Sequence, residues 1–241
     1  MKSQHTTLLD GRVSLTQSQD GLRASMDSVL LASVVTAKVE NHILDMGCGA
    51  GSVGLCVNER LSDLSLSVYG LDVQENMLDI ARQNAVENGL NAQHYRVGDV
   101  SNKKIFEAET FNHIVMNPPY YEDGERLQSP DPARETAFTG DLDIWIGSAT
   151  HWLKHGGSLS LIHRADKLDD ILKCLYGRYG AIEIWPVHSK VDEPAIRVIV
   201  KGVRNRKTRL KIHPAIILFD ENGKQSAQAT SILRDGAGIG D

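Results

Sequence analysis

Apolar residues in this chain come in short runs closed by a polar residue or a glycine, and these runs alternate with stretches of helical period. Segments near 42–46, 66–72, 92–98, 112–117, 157–163, 180–188 and 195–203 read as strands. Segments near 26–38, 51–61, 75–88, 141–154 and 166–178 read as helices. This alternation predicts an α/β fold with a mostly parallel sheet and helices on both faces. Ligands of such sheets bind beyond the carboxyl ends of the strands, where the strand order reverses. Asp45, Asp72, Asp99 and Asn117 all fall at such ends. The chain divides into a lead-in and helix (1–40), a core (41–203) and a basic hairpin with a short tail (204–241). The hairpin is placed at Leu210 to Phe219 with its turn at Glu221-Asn222-Gly223. A length of 241 residues with 41% hydrophobic content predicts a single domain with a large core.

The first strand, His42-Ile43-Leu44, runs into Asp45-Met46-Gly47-Cys48-Gly49-Ala50-Gly51 and then a helix. A strand, a glycine-rich turn and a helix N-terminus together make a nucleotide-binding unit. The glycines let backbone amides approach a ligand, and the helix start favours its negative part. Gly49 to Gly54 also fit G-x-G-x-x-G, the dinucleotide pattern. Asp45 argues for a different ligand. A carboxylate there would repel a pyrophosphate, whereas it would favour the sulfonium and ammonium of S-adenosylmethionine. The second strand ends in Asp72, placed to accept two ribose hydroxyls. Asp99, closing the third, is placed to accept an adenine amino group. Isolated acids at such positions also serve as helix caps and turn residues.

Asn117-Pro118-Pro119-Tyr120 closes the run Phe111-Asn112-His113-Ile114-Val115-Met116. Both prolines fix φ, and Pro119 pushes its predecessor into an extended conformation, so the turn is stiff. The Asn117 side-chain oxygen and the Pro118 carbonyl are two acceptors suited to the two hydrogens of an exocyclic amino group. Tyr120 supplies a flat face for stacking. The plain alternative is a Pro-Pro turn after a strand.

Taken together, D-x-G-x-G-x-G, the acid ending strand two, Gly98-Asp99 and N-P-P-Y resemble the class I S-adenosylmethionine-dependent amino-methyltransferases over nearly the whole chain. The segments Gly21 to Ala32 and Ile162-His163-Arg164-Ala165-Asp166 resemble the bacterial tRNA1(Val) adenine-N(6)-methyltransferase-like proteins. The resemblance implies a Rossmann-like seven-stranded sheet, mostly parallel with an antiparallel last strand. It implies S-adenosyl-L-methionine as cofactor, held by Asp45, Gly47, Gly49, Gly51, Asp72, Val73, Asp99 and Asn117. It further implies Asn117, Pro118, Pro119 and Tyr120 as the catalytic turn, with Tyr121 on the substrate side, and adenine N(6) of tRNA as the target. Glutamine methyltransferases of release factors are similar but carry a helical domain before the glycine motif, and here 44 residues precede Asp45. Guanine-amino rRNA enzymes of this type are similar to a duplicated domain, and DNA adenine enzymes add a recognition domain. Two readings of other classes stay open: a nicotinamide oxidoreductase and a non-catalytic RNA-binding protein.

Charge changes this picture in one respect. The net charge is −5, which alone argues against a nucleic-acid binder, yet residues 160–211 hold 12 Lys/Arg against 6 Asp/Glu. Lys201, Arg204, Arg206, Lys207, Arg209 and Lys211 occur with no acid among them. Arg204, Arg206, Lys207 and Arg209 are therefore candidate phosphate contacts, the alternative being a solvated hairpin face. The 20-residue polar segment from Tyr121 to Gly140 is a candidate lid. Cys48, Cys56 and Cys174 are scattered and without metal spacing, as expected of a reduced, cytoplasmic protein. His151 and His155 share a helix face at i, i+4 but lack a third ligand, so no metal is expected. No apolar run approaches the roughly 20 residues of a membrane helix, and no signal peptide opens the chain.

Overall fold

A computed structural model describes residues 3–18, 26–119 and 142–239. Strands β1 (Ser3–Leu8) and β2 (Val13–Ser18) form an antiparallel hairpin that precedes α1 (Met26–Ser33). Then follow β3 (His42–Met46), α2 (Ser52–Arg60), β4 (Ser67–Asp72), α3 (Glu75–Glu87), β5 (Tyr95–Val97) and β6 (Phe111–Met116). The second half contains α4 (Leu142–Trp152), β7 (Leu153–Arg164), α5 (Leu168–Leu175), β8 (Tyr179–His188) and β9 (Ala195–Arg204). Two short strands, β10 (Lys211–Ile212) and β11 (Ile216–Ile217), and a short helix, α6 (Ala227–Thr230), close the order.

The main sheet runs β10-β8-β9-β7-β6-β3-β4-β5, with β11 also on β8. Strands β3 to β7 pair in parallel, and β9 is antiparallel to both β7 and β8. This is the class I methyltransferase sheet expected above, extended at one edge by β10 and β11. Strand order reverses at β3, whose neighbours are β4 and β6, so the crevice lies beyond the carboxyl ends of β3 and β6.

Alternation along each strand divides the core in two. Ile43, Val115, Ile162 and Ile199 face a cluster with α1, α2, the hairpin and the C-terminal segment. Leu44, Met116, Leu161 and Val198 face a second cluster with α4 and α5, including Trp145, Trp152 and Leu175. Because both faces are covered, these strands read as apolar runs rather than as alternating ones. A fully buried large side chain in either cluster contributes about 1.5–3 kcal/mol.

Several sequence expectations are corrected. The lead-in contains a hairpin, turned by Leu9, Asp10 and Gly11, all at positive φ. Asn84 of α3 and Asn88 just after it bond its backbone at Thr16 and Ser14. Helix α1 stops at Ser33, and the carbonyls at and just past its end find partners from far along the chain. Arg60 Nη1 donates to Ala32 O, the Ile239 amide to Ser33 O, and Lys201 Nζ to Val34 O (3.1 Å). The predicted helix over 141–154 ends at Trp152, so His151 and His155 do not share a helix; His155 lies in β7 and contacts Asn205 and Glu109. The 210–219 segment is not a hairpin, since β10 and β11 each pair in parallel with β8. The turn at 221–223 is present, closed by a Phe219–Gln225 bridge and by the Asp220 amide donating to Lys224 O (2.8 Å).

Candidate functional site

Parallel register lines up the strand ends. Met46 lies between Met116 and Leu71, and Asp72 lies beside Val97. The next residues are Gly47 after β3, Asp72 closing β4, Gly98-Asp99 after β5 and Asn117 after β6, so the sequence-predicted positions share one edge.

The turn after β3 needs its glycines. Gly47, Gly49 and Gly51 have φ of 74°, 51° and 86°, a region unfavourable to other residues. A Cβ on Gly47 would also stand 2.5 Å from the Trp145 ring. The amides of Gly47 and Cys48 both donate to Leu71 O, at 2.7 and 3.0 Å, clamping the turn to β4.

Asp72 finishes that clamp: Oδ2 accepts from the Gly49 amide at 2.8 Å and Oδ1 from the Gln74 amide at 3.0 Å. Burial pushes its carboxyl up, and the amides of Gln74, Gly49 and Val73 pull it back. Each oxygen retains a second lone-pair direction, so the carboxylate can still accept two hydroxyls. Asp45 is placed differently from the other acids. It is 1% exposed, and its Oδ2 accepts from the Gly54 amide at 2.9 Å, so it anchors the first turn of α2 beneath the glycine turn. Desolvation, opposed by that hydrogen bond, raises its pKa to about 7. Asp99 sits just past β5, where its Oδ1 accepts from the Ser101 amide at 2.7 Å. Cys48 is buried with its thiol pushed well up, an inert filler against Gly70 and Tyr95.

Asn117 and Pro119 are half-buried and Pro118 is buried at the end of β6. Tyr120, Tyr121 and the candidate lid as far as Gly140 lie outside the described residues. On the other side, the register Met116–Leu161 carries the end of β7, His163-Arg164, alongside the Asn117-Pro118 turn. His163 Nδ1 accepts from the Arg164 amide, and burial lowers its pKa to about 4, so the ring is neutral at pH 7. Arg164 pairs with Asp166, and Arg197 at the start of β9 pairs with Asp27 at 3.2 Å. These side chains were not predicted as site residues; their position after an expected strand was the available signal.

The basic segment is not brought to this edge. Strand β9 runs backwards, so Arg204 lies at the amino-terminal edge, opposite Tyr179 at the start of β8. Counting five residues along β6 and two strand spacings puts it roughly 20 Å from Asn117. Arg204 is also committed: Nη1 donates to Leu153 O and contacts Glu109 at 3.1 Å. Arg206, Lys207, Arg209 and Lys211 are exposed and form no ion pair among the described residues. Among the described residues no group of three His, Cys, Asp or Glu side chains is placed to hold a metal ion, and no helix is long and apolar enough to cross a membrane.

The sequence matches the family model for the methyltransferase small domain over residues 23–184. It is 31% identical over 221 residues to the tRNA1(Val) (adenine(37)-N6)-methyltransferase of Actinobacillus pleuropneumoniae serotype 7, covering 86% of this chain and 89% of that one. It is 28% identical over 214 residues to the protein of the same name from Glaesserella parasuis, covering 87% of each. A solved structure from Agrobacterium tumefaciens, described as a predicted O-methyltransferase, superposes with a TM-score of 0.73 at 26% identity, covering 88% of this chain and 98% of that one.

Proposed function

The chain belongs to the methyltransferase small domain family, and from that premise we propose that it methylates the N(6) amino group of an adenine in tRNA. It is an S-adenosylmethionine-dependent methyltransferase, so the nicotinamide reading of Gly49 to Gly54 is set aside. The observation that carries the finer reading is the Asn117-Pro118-Pro119 turn. It follows β6 at the same sheet edge as the glycine turn, and it offers two acceptors for one amino group. In this reading residues 1–241 act as one cytoplasmic enzyme unit.

S-adenosylmethionine supplies a methyl group on a cationic sulfur. The Gly47 to Gly51 turn and Asp72 fit such a ligand, because glycine there leaves room that a Cβ would fill and Asp72 retains acceptor capacity. Val73 and Asp99 flank the same edge, and Asp45 holds the helix start beneath it. Asn117 Oδ1 and the Pro118 carbonyl accept from the two N–H groups of the target and favour a pyramidal nitrogen over the planar ground state. With the cofactor bound, the target nitrogen held by Asn117 and Pro118 would take the methyl group, leaving the bonding electrons with sulfur, and would give up one proton to solvent. Tyr120 and Tyr121 belong to the base-stacking side in this scheme. Positioning supplies the remaining rate. An unpaired base costs less to extract than a duplex one, which favours an RNA loop.

The test is nucleoside mass spectrometry of unmodified tRNA incubated with the protein and isotope-labelled S-adenosylmethionine. Label in N(6)-methyladenosine is expected. Label confined to ribose 2′-oxygens, to guanine or to protein would overturn the reading, the first in favour of the O-methyl chemistry in the Agrobacterium protein's description.

A further inference from the structure

Tyr176 is 87% exposed, the highest value among the large hydrophobic side chains described. It ends α5, and Gly177, at φ 75°, turns the chain immediately after it. The turn is held against the basic segment: the Asn205 amide donates to Arg178 O at 3.1 Å, and the Ala181 amide to Thr208 O at 3.0 Å. Gly180 lies so close under the Arg206 carbonyl that no Cβ would fit. Tyr176 therefore stands two residues from Arg178, which is bonded to Asn205 at the start of the strip carrying Arg206, Lys207, Arg209 and Lys211.

Of the acids near this strip, two are held by arginines and one by a histidine. Glu109 contacts Arg204, Asp143 contacts Arg178 at 2.8 Å, and Glu183 contacts His213 at 3.2 Å. Among the described residues none of the four exposed cations forms an ion pair, and they lie near a bare aromatic ring. A cationic track with an exposed ring is the arrangement that holds an unpaired nucleotide, phosphates on the cations and the base on the ring.

We propose that Tyr176 and the 206–211 strip, which runs from the amino edge along the outer side of β8, form a second RNA contact in which one unpaired base stacks on Tyr176. The proposal rests on the reading of the substrate as tRNA. The roughly 20 Å that separates the basic segment from Asn117 means one nucleotide cannot serve both places. The base held by Tyr176 is therefore not the base that is modified, and the bound RNA must reach across the sheet.

The test is binding of the full chain to a tRNA1(Val) transcript across a salt series, with methylation of the same RNA measured in parallel. Tyr176→Ala should weaken binding about tenfold, near the value of one stacked base, with the salt slope unchanged. Tyr176→Trp should retain affinity and show fluorescence quenched by the RNA. Alanine at Arg206, Lys207 and Arg209 together should reduce the salt slope by about 2 to 3. Val86→Ala, on the exposed side of α3, should change neither. The second contact is overturned, and the methylation reading left standing, if wild-type protein binds and methylates the transcript and Tyr176→Ala does so with equal affinity. Failure of the wild-type chain to bind or methylate the transcript would bring down both.

Discussion

Polar side chains at the two edges of the sheet are held in different ways. At the carboxyl edge, Asp45 and Asp72 accept hydrogen bonds from the amides of Gly54, Gly49 and Gln74, and Asp99 from that of Ser101. These groups are fixed by the same backbone that forms the turns, so the site is organised before any ligand arrives. At the amino edge Arg204 is drawn into the fold, while Arg206, Lys207, Arg209 and Lys211, which run from that edge back along the outer side of β8, project into solvent. A pre-built site suits chemistry, where misplacement by an ångström is costly, and an uncommitted cationic strip suits a polyanion that slides and adjusts.

The largest effect that would sharpen this contrast is at Asn117. Asn117→Ala should lower methyl transfer by about two to three orders of magnitude, the usual cost of losing one transition-state hydrogen bond, with cofactor affinity changed only a few-fold. Rate and calorimetric binding measured on one preparation would check it; near-normal turnover would reduce the N-P-P turn to a structural element. Next comes Gly47→Ala, which adds a Cβ 2.5 Å from the Trp145 ring at a φ of 74°. A stability loss of about 2–4 kcal/mol in denaturant melts is expected, with weaker cofactor binding.

A smaller effect separates the basic residues from each other. Arg204→Ala should cost about 1–3 kcal/mol of stability by orphaning the Leu153 carbonyl, whereas Arg206→Ala should leave the melting curve within experimental error. Equal loss in both would mean that the strip is part of the fold and the difference between the edges is false.

The smallest effect is a pH dependence. The folded pKa of Asp45 is about 7, above the ordinary carboxylate value. Between about pH 4 and 7 the native chain binds more protons here than the unfolded one, so this group's contribution is largest at low pH and is lost as pH rises through 7. Asp45→Asn keeps an acceptor for the Gly54 amide and does not titrate. Its melting temperature should gain on wild type by a few degrees between pH 5 and 8. His113 and His163, both lowered to about 4, act with the opposite sign but equally in both proteins, so they cancel in the difference.

Much of the carboxyl edge was legible in the sequence because parallel strands buried on both faces show as apolar runs, and the residue ending each run is fixed by where the run stops. What was not legible depended on distant partners. The end of helix α1 is met by Arg60 at Ala32 O and by Lys201 at Val34 O just beyond it, both from far along the chain. Strands β10 and β11 pair with β8 rather than with each other, a choice no local pattern encodes. Arg204 and Arg206 look alike in sequence, and only the first has a carbonyl within reach. The N-terminal hairpin is a different case, since Asp10-Gly11 between Leu8, Val13 and Leu15 is a turn signal that local reasoning can use.

The reversed strand β9 has a consequence for how the molecule assembles. In chain order β8 comes before β9, yet in space β9 lies between β7 and β8. When β8 leaves the ribosome it has no docking edge on the growing sheet, and β10 and β11 in turn depend on β8. Strand β8 therefore takes its place in the sheet only together with β9, and the basic strip, which follows β9 and pairs along β8, comes with them. The carboxyl edge with its glycine turn, built from β3 to β6, is complete in the chain before that step, so the two edges contrasted above draw on different stretches of the emerging chain.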